Sequence, residues 1–201
     1  DLTAARKLTT IKQREGGDKL KEPFKKFIQA ELRDNILLIT CGLPGTWKTE
    51  TSEEISKIKG YPIVRTDLVR KEVLKNEDIF DEELASNMDK RTMVYDETFR
   101  RADETAKKGN SVIIDATFVT QSLRRRAAEI AAKHNKTLVI LQTDCPQEVA
   151  IGRILRRTKE DYESNALTEQ AYLQQKEVPT SGFNCFKSSK STCWNFFLLL
   201  R

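Results

Sequence analysis

A chain of 201 residues is long enough for one α/β domain with a sizeable core, and 38% hydrophobic with 32% charged residues is ordinary for a helix-rich cytoplasmic protein. The formal charge of +5, from 35 basic and 30 acidic residues with no long basic block, argues against a nucleic-acid footprint. Four cysteines without a C-x-x-C pair and a single histidine, His134, argue against zinc, and no secretory signal or 18-residue apolar span is present.

Residues 1–34 are polar and highly charged. Leu20, Phe24, Phe27, Ile28 and Leu32 recur at near-helical spacing and predict an amphipathic helix over 18–32. Residues 1–17 read as an arm or linker, and the start at Asp1 suits the end of a preceding domain. Ile36–Cys41 is a continuous apolar run, the pattern of a parallel strand buried on both faces. The chain then alternates: a helix over 49–59 ended by Gly60, a strand at 61–64, a helix over 67–75, a long helix over 82–108 and a strand over 111–114. Further helices over 121–134, 147–157 and 167–177 flank a strand over 137–142. Such alternation predicts a mainly parallel sheet with right-handed crossovers. Residues 178–201 contain no Asp or Glu and carry aromatic residues, with 195–200 as a candidate last strand. Cys41 and Cys145 read as buried thiols of a reducing compartment.

Gly42, Leu43, Pro44, Gly45, Thr46, Trp47, Lys48 and Thr49 follow the first buried strand. They match G-x-x-x-x-G-K-[ST] at every specified position except one, where Trp47 replaces the second glycine. In this pattern backbone N–H groups cradle phosphate oxygens at a helix N-terminus. Lys48 reaches the β- and γ-phosphates, and the Thr49 hydroxyl goes to Mg²⁺. Two readings of Trp47 stay open: an indole turned outward is tolerated, and one turned inward blocks the β-phosphate position.

Asp67 and Arg70 follow the second strand, where a carboxylate can accept the proton of an attacking hydroxyl. The plainer reading of Asp67 is a helix N-cap beside an exposed arginine. Asp115 ends an apolar strand, the pattern of a Mg²⁺-holding carboxylate or of a turn cap, and Thr117 follows within reach of the crevice. Arg153, Arg156 and Arg157 share a helix before a polar stretch, as lid arginines or as a solvated face. Arg124, Arg125 and Arg126 read as a solvated face, Tyr95 and Phe99 as core, and His134 as a cation complementing a helix C-terminus.

Together the segments 42–49, 65–70, 112–118 and 153–157 resemble the P-loop kinase-like ATP-binding domains of the AAA type, a group that includes polynucleotide 5′-hydroxyl kinase domains. The resemblance spans about residues 36–177. It implies a three-layer α/β/α P-loop NTPase fold over 35–177, flanked by the N-terminal segment 1–34 and the tail 178–201, with ATP and Mg²⁺ as cofactors. It further implies Asp67 as general base, Arg70 as a residue that holds a substrate phosphate or orients the base, Arg157 in the lid, Arg153 and Arg157 as nucleotide contacts, and Asp115 with Thr49 at the metal. The expected partners are a nucleotide, a hydroxyl-bearing acceptor and a fused kinase-like domain. Nucleic acid enters only as a substrate, and no membrane is involved. The competing reading is a nucleotide-binding or inactive regulatory module with a degenerate loop.

Overall fold

The structure is a computed structural model that describes residues 10–13, 21–78, 87–158, 166–177 and 193–200. Its elements, in chain order, are β1 (Thr10–Gln13), α1 (Lys21–Glu31), β2 (Ile36–Cys41), α2 (Lys48–Lys59), β3 (Ile63–Arg65) and α3 (Thr66–Val73). There follow α4 (Met88–Lys107), β4 (Val112–Asp115), α5 (Gln121–Lys133), β5 (Thr137–Asp144), α6 (Gln147–Ile154), α7 (Glu169–Glu177) and β6 (Cys193–Leu200). The strands form one sheet in the order β1-β6-β5-β2-β4-β3, and every pair is parallel.

The sheet is parallel because helical crossovers join its central strands, and helices then cover both faces. The side chains of β2 divide accordingly. Ile36 and Leu38 join one core cluster with Ile28 of α1, Leu32 just past its end, Ile55 of α2 and Ala150 and Ile154 of α6. Leu37, Ile39 and Cys41 join another with Tyr95, Phe99 and Ala102 of α4 and Ala127 and Ala131 of α5. β5 alternates in the same way, with Val139 and Leu141 on the first face and Leu138 and Ile140 on the second. These two cores make the three-layer α/β/α architecture that the resemblance implied.

Local signals account for most boundaries. Gly60 ends α2 in the left-handed region at φ 72°, donating its N–H to Ser56 O. Asn87 caps α4 through bonds from the N–H groups of Asp89 and Lys90. Thr120 caps α5 by accepting from Leu123 N–H. His134 stands at the C-terminal end of α5, where its ring meets Asp103 at 2.9 Å.

Three expectations need correction, and one extends beyond the described residues. Residues 10–13 are a strand at the sheet edge rather than arm, because β6 offers them a parallel partner from Phe197 to Leu200. The long helix is described from Met88, and the expected stretch from 82 to 86 lies outside the described residues. Arg124 is not on a solvated face. It is buried, and its Nη1 donates to Phe118 O at 2.7 Å and Val119 O at 3.1 Å. The last strand pairs with β5 over Leu138–Asp144 and is two residues longer at its start than the expected 195–200. Cys185 and most of the tail fall outside the described residues.

Candidate functional site

β2 is central, and the chain passes from it first toward β3 and β4, then across to β5 on its other side. Such a switch opens a crevice at the carboxyl ends of the strands. The loop 42–49 leaves β2 there, α3 leaves β3, and Asp115 ends β4.

Two glycines let this loop fold tightly. Gly42 has φ 146°, and a Cβ on it would lie 2.4 Å from Thr143 O, so a side chain cannot be accommodated beside β5. Gly45 has φ 79°, and its Cβ would lie 2.6 Å from Ala150 O of α6. Thr46 is buried and closes the turn, donating to Leu43 O at 2.8 Å and meeting the Thr143 hydroxyl at 2.9 Å. The Gly42 N–H donates to Thr117 O, which ties the loop to the segment after β4.

Trp47 stands just before α2 with φ 62° and ψ 26°. This left-handed conformation is one that glycine adopts freely and that costs an L-residue about 1–2 kcal/mol. The motif's glycine therefore answers a backbone requirement that persists here. The half-buried indole packs on the α1–α6 side of the sheet, and the Arg153 guanidinium lies 3.9 Å from its ring centre.

The polar groups of the loop meet those at the end of β4. Lys48 Nζ donates to Leu43 O at 2.7 Å. Burial pushes its pKa down to about 8, while the charges of Asp115 and Asp67 oppose the shift and Arg157 adds to it. Asp115 is buried, and its two carboxylate oxygens accept from Thr40 at 3.0 Å and Thr49 at 2.7 Å. Burial raises its pKa, opposed by the Thr49 bond, the Lys48 charge and the Thr40 bond. Thr40 also accepts from Ala116 N–H at 3.2 Å, and Thr66 donates to Asp115 O at 2.8 Å.

Asp67 lies in the first turn of α3 rather than at its N-cap, which is Arg65. It is paired with Arg70 one turn on, at the crevice rim, with about a third of its side chain exposed. Tyr95 and Phe99 are buried and pack with Phe118, with ring centres 6.1–6.3 Å apart. Burial raises the Tyr95 phenol's pKa, and its surroundings include Thr117, Arg91, Arg70 and Asp67. Arg157 donates to Ala166 O at 3.2 Å and Arg156 to Gly152 O at 3.0 Å; both lie past the end of α6 at Ile154, so the three arginines do not share one helix as expected.

The crevice thus brings together Lys48, Thr49, Asp115, Asp67 and Arg70, with Arg157 near enough to act on Lys48. Arg153 lies apart, on the Trp47 ring. Sequence reasoning missed Thr40, Thr66, Thr143 and Arg124, because a hydroxyl within an apolar strand or an arginine within a basic run carries no positional signal. Thr40 is buried within a strand buried at every position.

A carboxylate with an adjacent hydroxyl offers oxygen donors alone, the chemistry Mg²⁺ takes, usually with one or two carboxylates completed by phosphate and water. Among the described residues no group of three or more His, Cys, Asp or Glu gathers as a metal cluster. The Thr49–Asp115 pair therefore fits Mg²⁺ held jointly with a phosphate, rather than a metal held by protein ligands only.

Residues 37–180 match the AAA domain family, and the chain belongs to that family. Its fold is that of P-loop kinase-like domains. It superposes on a sugar kinase from Janibacter sp. HTCC2649 with a TM-score of 0.57 and 17% identity, over 82% of this chain and 85% of that one. It superposes on a gluconokinase from Sinorhizobium meliloti 1021 with a TM-score of 0.53 and 19% identity, over 81% and 83% of the two chains. Over 127 residues, 60% of this chain, it is 28% identical to an uncharacterized protein of Mycobacterium tuberculosis strain H37Rv. The match covers 25% of that relative, so the chain spans about a quarter of its length. Among the described residues no helix is long and apolar enough to cross a membrane.

Proposed function

We propose that the chain is an ATP-dependent phosphotransferase that moves the γ-phosphate of ATP to a hydroxyl group. The observation that carries this reading is the buried Asp115 carboxylate bonded to Thr49 beside the Lys48 ammonium, at the mouth of a glycine-formed loop. A buried carboxylate with a raised pKa and a buried lysine with a lowered one are costly unless a ligand completes them. A nucleotide phosphate with its Mg²⁺ does so. Lys48 and the loop N–H groups hold the phosphates, while Thr49 and Asp115 hold the metal.

Asp67 is the general base. It takes the proton of the acceptor hydroxyl as that oxygen bonds to the γ-phosphorus and the bond to the β-phosphate oxygen breaks, releasing ADP. Arg70 orients Asp67 and can hold an anionic acceptor, and Arg157 contributes from the α6 end. The acceptor is a small hydroxyl compound or a polynucleotide 5′-end, and a kinase-like domain as a partner suits the greater length of the relatives.

The test is turnover of ATP against a panel of sugars and 5′-hydroxyl oligonucleotides. Asp67→Asn is expected to lower turnover by about 10²- to 10⁴-fold while ATP binding is retained. Unchanged turnover in that variant would remove Asp67 from the role of base. Trp47 in the glycine position favours one other reading, a nucleotide-binding or inactive regulatory module. That reading expects no phosphorylated product from any acceptor.

A further inference from the structure

Trp47 departs from the loop pattern, yet its surroundings are fitted to it. Arg153 of α6 touches the loop–helix unit at three positions. Its guanidinium lies 3.9 Å from the centre of the Trp47 ring. Its Nε donates to Gly45 O at 3.1 Å, and its Nη2 pairs with Glu50 in the first turn of α2. The backbones of loop and helix also meet directly, since no Cβ would fit between Gly45 and Ala150. A planar guanidinium can stack on an aromatic face and still use its in-plane N–H groups, which a lysine cannot do.

We infer that Trp47 and Arg153 form a positioning pair that fixes the phosphate-binding loop against α6. Glycine at 47 would adopt the required left-handed conformation freely, but it would leave Arg153 no ring to rest on and the loop free to sample other conformations. Tryptophan accepts the backbone strain, and the stack with Arg153 then restricts the loop N–H groups to one arrangement. Arg153 acts through the loop and not on the phosphates, a different role from the direct nucleotide contact that its sequence position suggests. The indole lies on the α6 side, whereas the Thr49–Asp115 bond lies at the end of β4. Trp47 is thus a support of the site rather than a plug in it. This inference rests on the loop being a nucleotide site, as proposed above.

The experiment is a double-mutant cycle in the full chain with Trp47→Ala and Arg153→Met, beside Trp47→Phe. ATP·Mg²⁺ affinity is read by calorimetry, and Tm by thermal unfolding without ligand. Trp47→Ala keeps the left-handed demand and loses the stack, so about tenfold weaker binding is expected, with a similar loss in Arg153→Met. The double variant is expected to lose no more than either single one in affinity or in Tm. Trp47→Phe keeps a ring for the guanidinium and is expected to bind within about threefold of the parent.

Losses that add, an alanine variant that binds as tightly as the parent or tighter, or a phenylalanine variant as weak as alanine would each overturn the pair. A parent chain that binds no nucleotide would instead refute the function proposed above. The Tm cycle then decides alone: non-additive losses uphold the pair and additive ones overturn it.

Discussion

At the carboxyl ends of β2 and β4 the charges are few and buried, whereas along the outer face of α4 they are many and wet. In the crevice, Asp115 lies beside a buried lysine, and both titrate away from their ordinary ranges because burial dominates. On α4, Arg100 and Arg101 reach Glu97, Glu104 and Glu72, while Arg126 of α5 reaches Asp96. Each of these charges meets its opposite while still touching water. The difference separates function from solvation. A charge kept in the interior at a cost marks a place where a ligand completes the balance. A charge paired on a helix surface contributes solubility and little else.

The sharpest way to break that comparison is to neutralise the buried carboxylate. Asp115→Asn removes the ionised group that burial disfavours and retains its shape. Mg²⁺-dependent ATP turnover is expected to fall by at least about 10²-fold. Tm without ligand is expected to change by less than about 4 °C, because losing the desolvation cost of the carboxylate offsets losing its charge near Lys48. Thermal unfolding and a coupled ATPase assay measure the two sides. A fall in Tm of more than about 4 °C would show Asp115 to be a structural group instead.

The crevice was readable in the sequence wherever its residues follow strands. The run Ile36–Cys41 followed by glycines, the aspartate ending the apolar run 112–114 and the Asp67–Arg70 spacing mark strand ends, while the residue types there fitted a capping role as well as a catalytic one. The parallel sheet was legible from the alternation of strands and helices, and the three-layer fold from the resemblance that the loop and its partner segments carry. Features that depend on distant partners were not legible. Thr10–Gln13 becomes a strand only because β6, far along the chain, lies next to it. The stack of Arg153 on Trp47 joins residues on two elements, and neither carries a local mark of the other. Arg124 was misread because its run of three arginines looks polar, while the α5 periodicity turns its first member inward with Ala127 and Ala131.

Arg124 tests the comparison from a different side, because it is a buried charge outside the proposed chemistry. It holds the carbonyls of Phe118 and Val119 just past Thr117, and Phe118 sits in the left-handed region at φ 45°. Arg124→Met leaves those carbonyls without their donor and is expected to cost about 2–4 kcal/mol by denaturant unfolding. ATP affinity should weaken as well, since Thr117 O accepts from the Gly42 N–H and links this segment to the loop. A variant that loses neither stability nor affinity would show that a buried charge here needs no ligand and holds nothing.

The smallest effect belongs to the α4 face. Bonds from Arg100 and Arg101 pull the pKa of Glu97 down to about 2. A carboxylate whose folded pKa lies below its unfolded value stabilises the fold above the ordinary range near 4.5, and that contribution disappears as pH falls toward 2. Water screens these charges, so only a small part of the shift should appear as stability. Glu97→Gln is therefore expected to lower Tm by no more than about 2 °C at neutral pH. The difference from the parent should narrow as pH is lowered from 4.5 to 2 and shrink in high salt. A loss as large as that of Arg124→Met, or one insensitive to salt, would mean that the wet pairs of α4 are coupled to the interior. Burial would then no longer separate the two groups of charge.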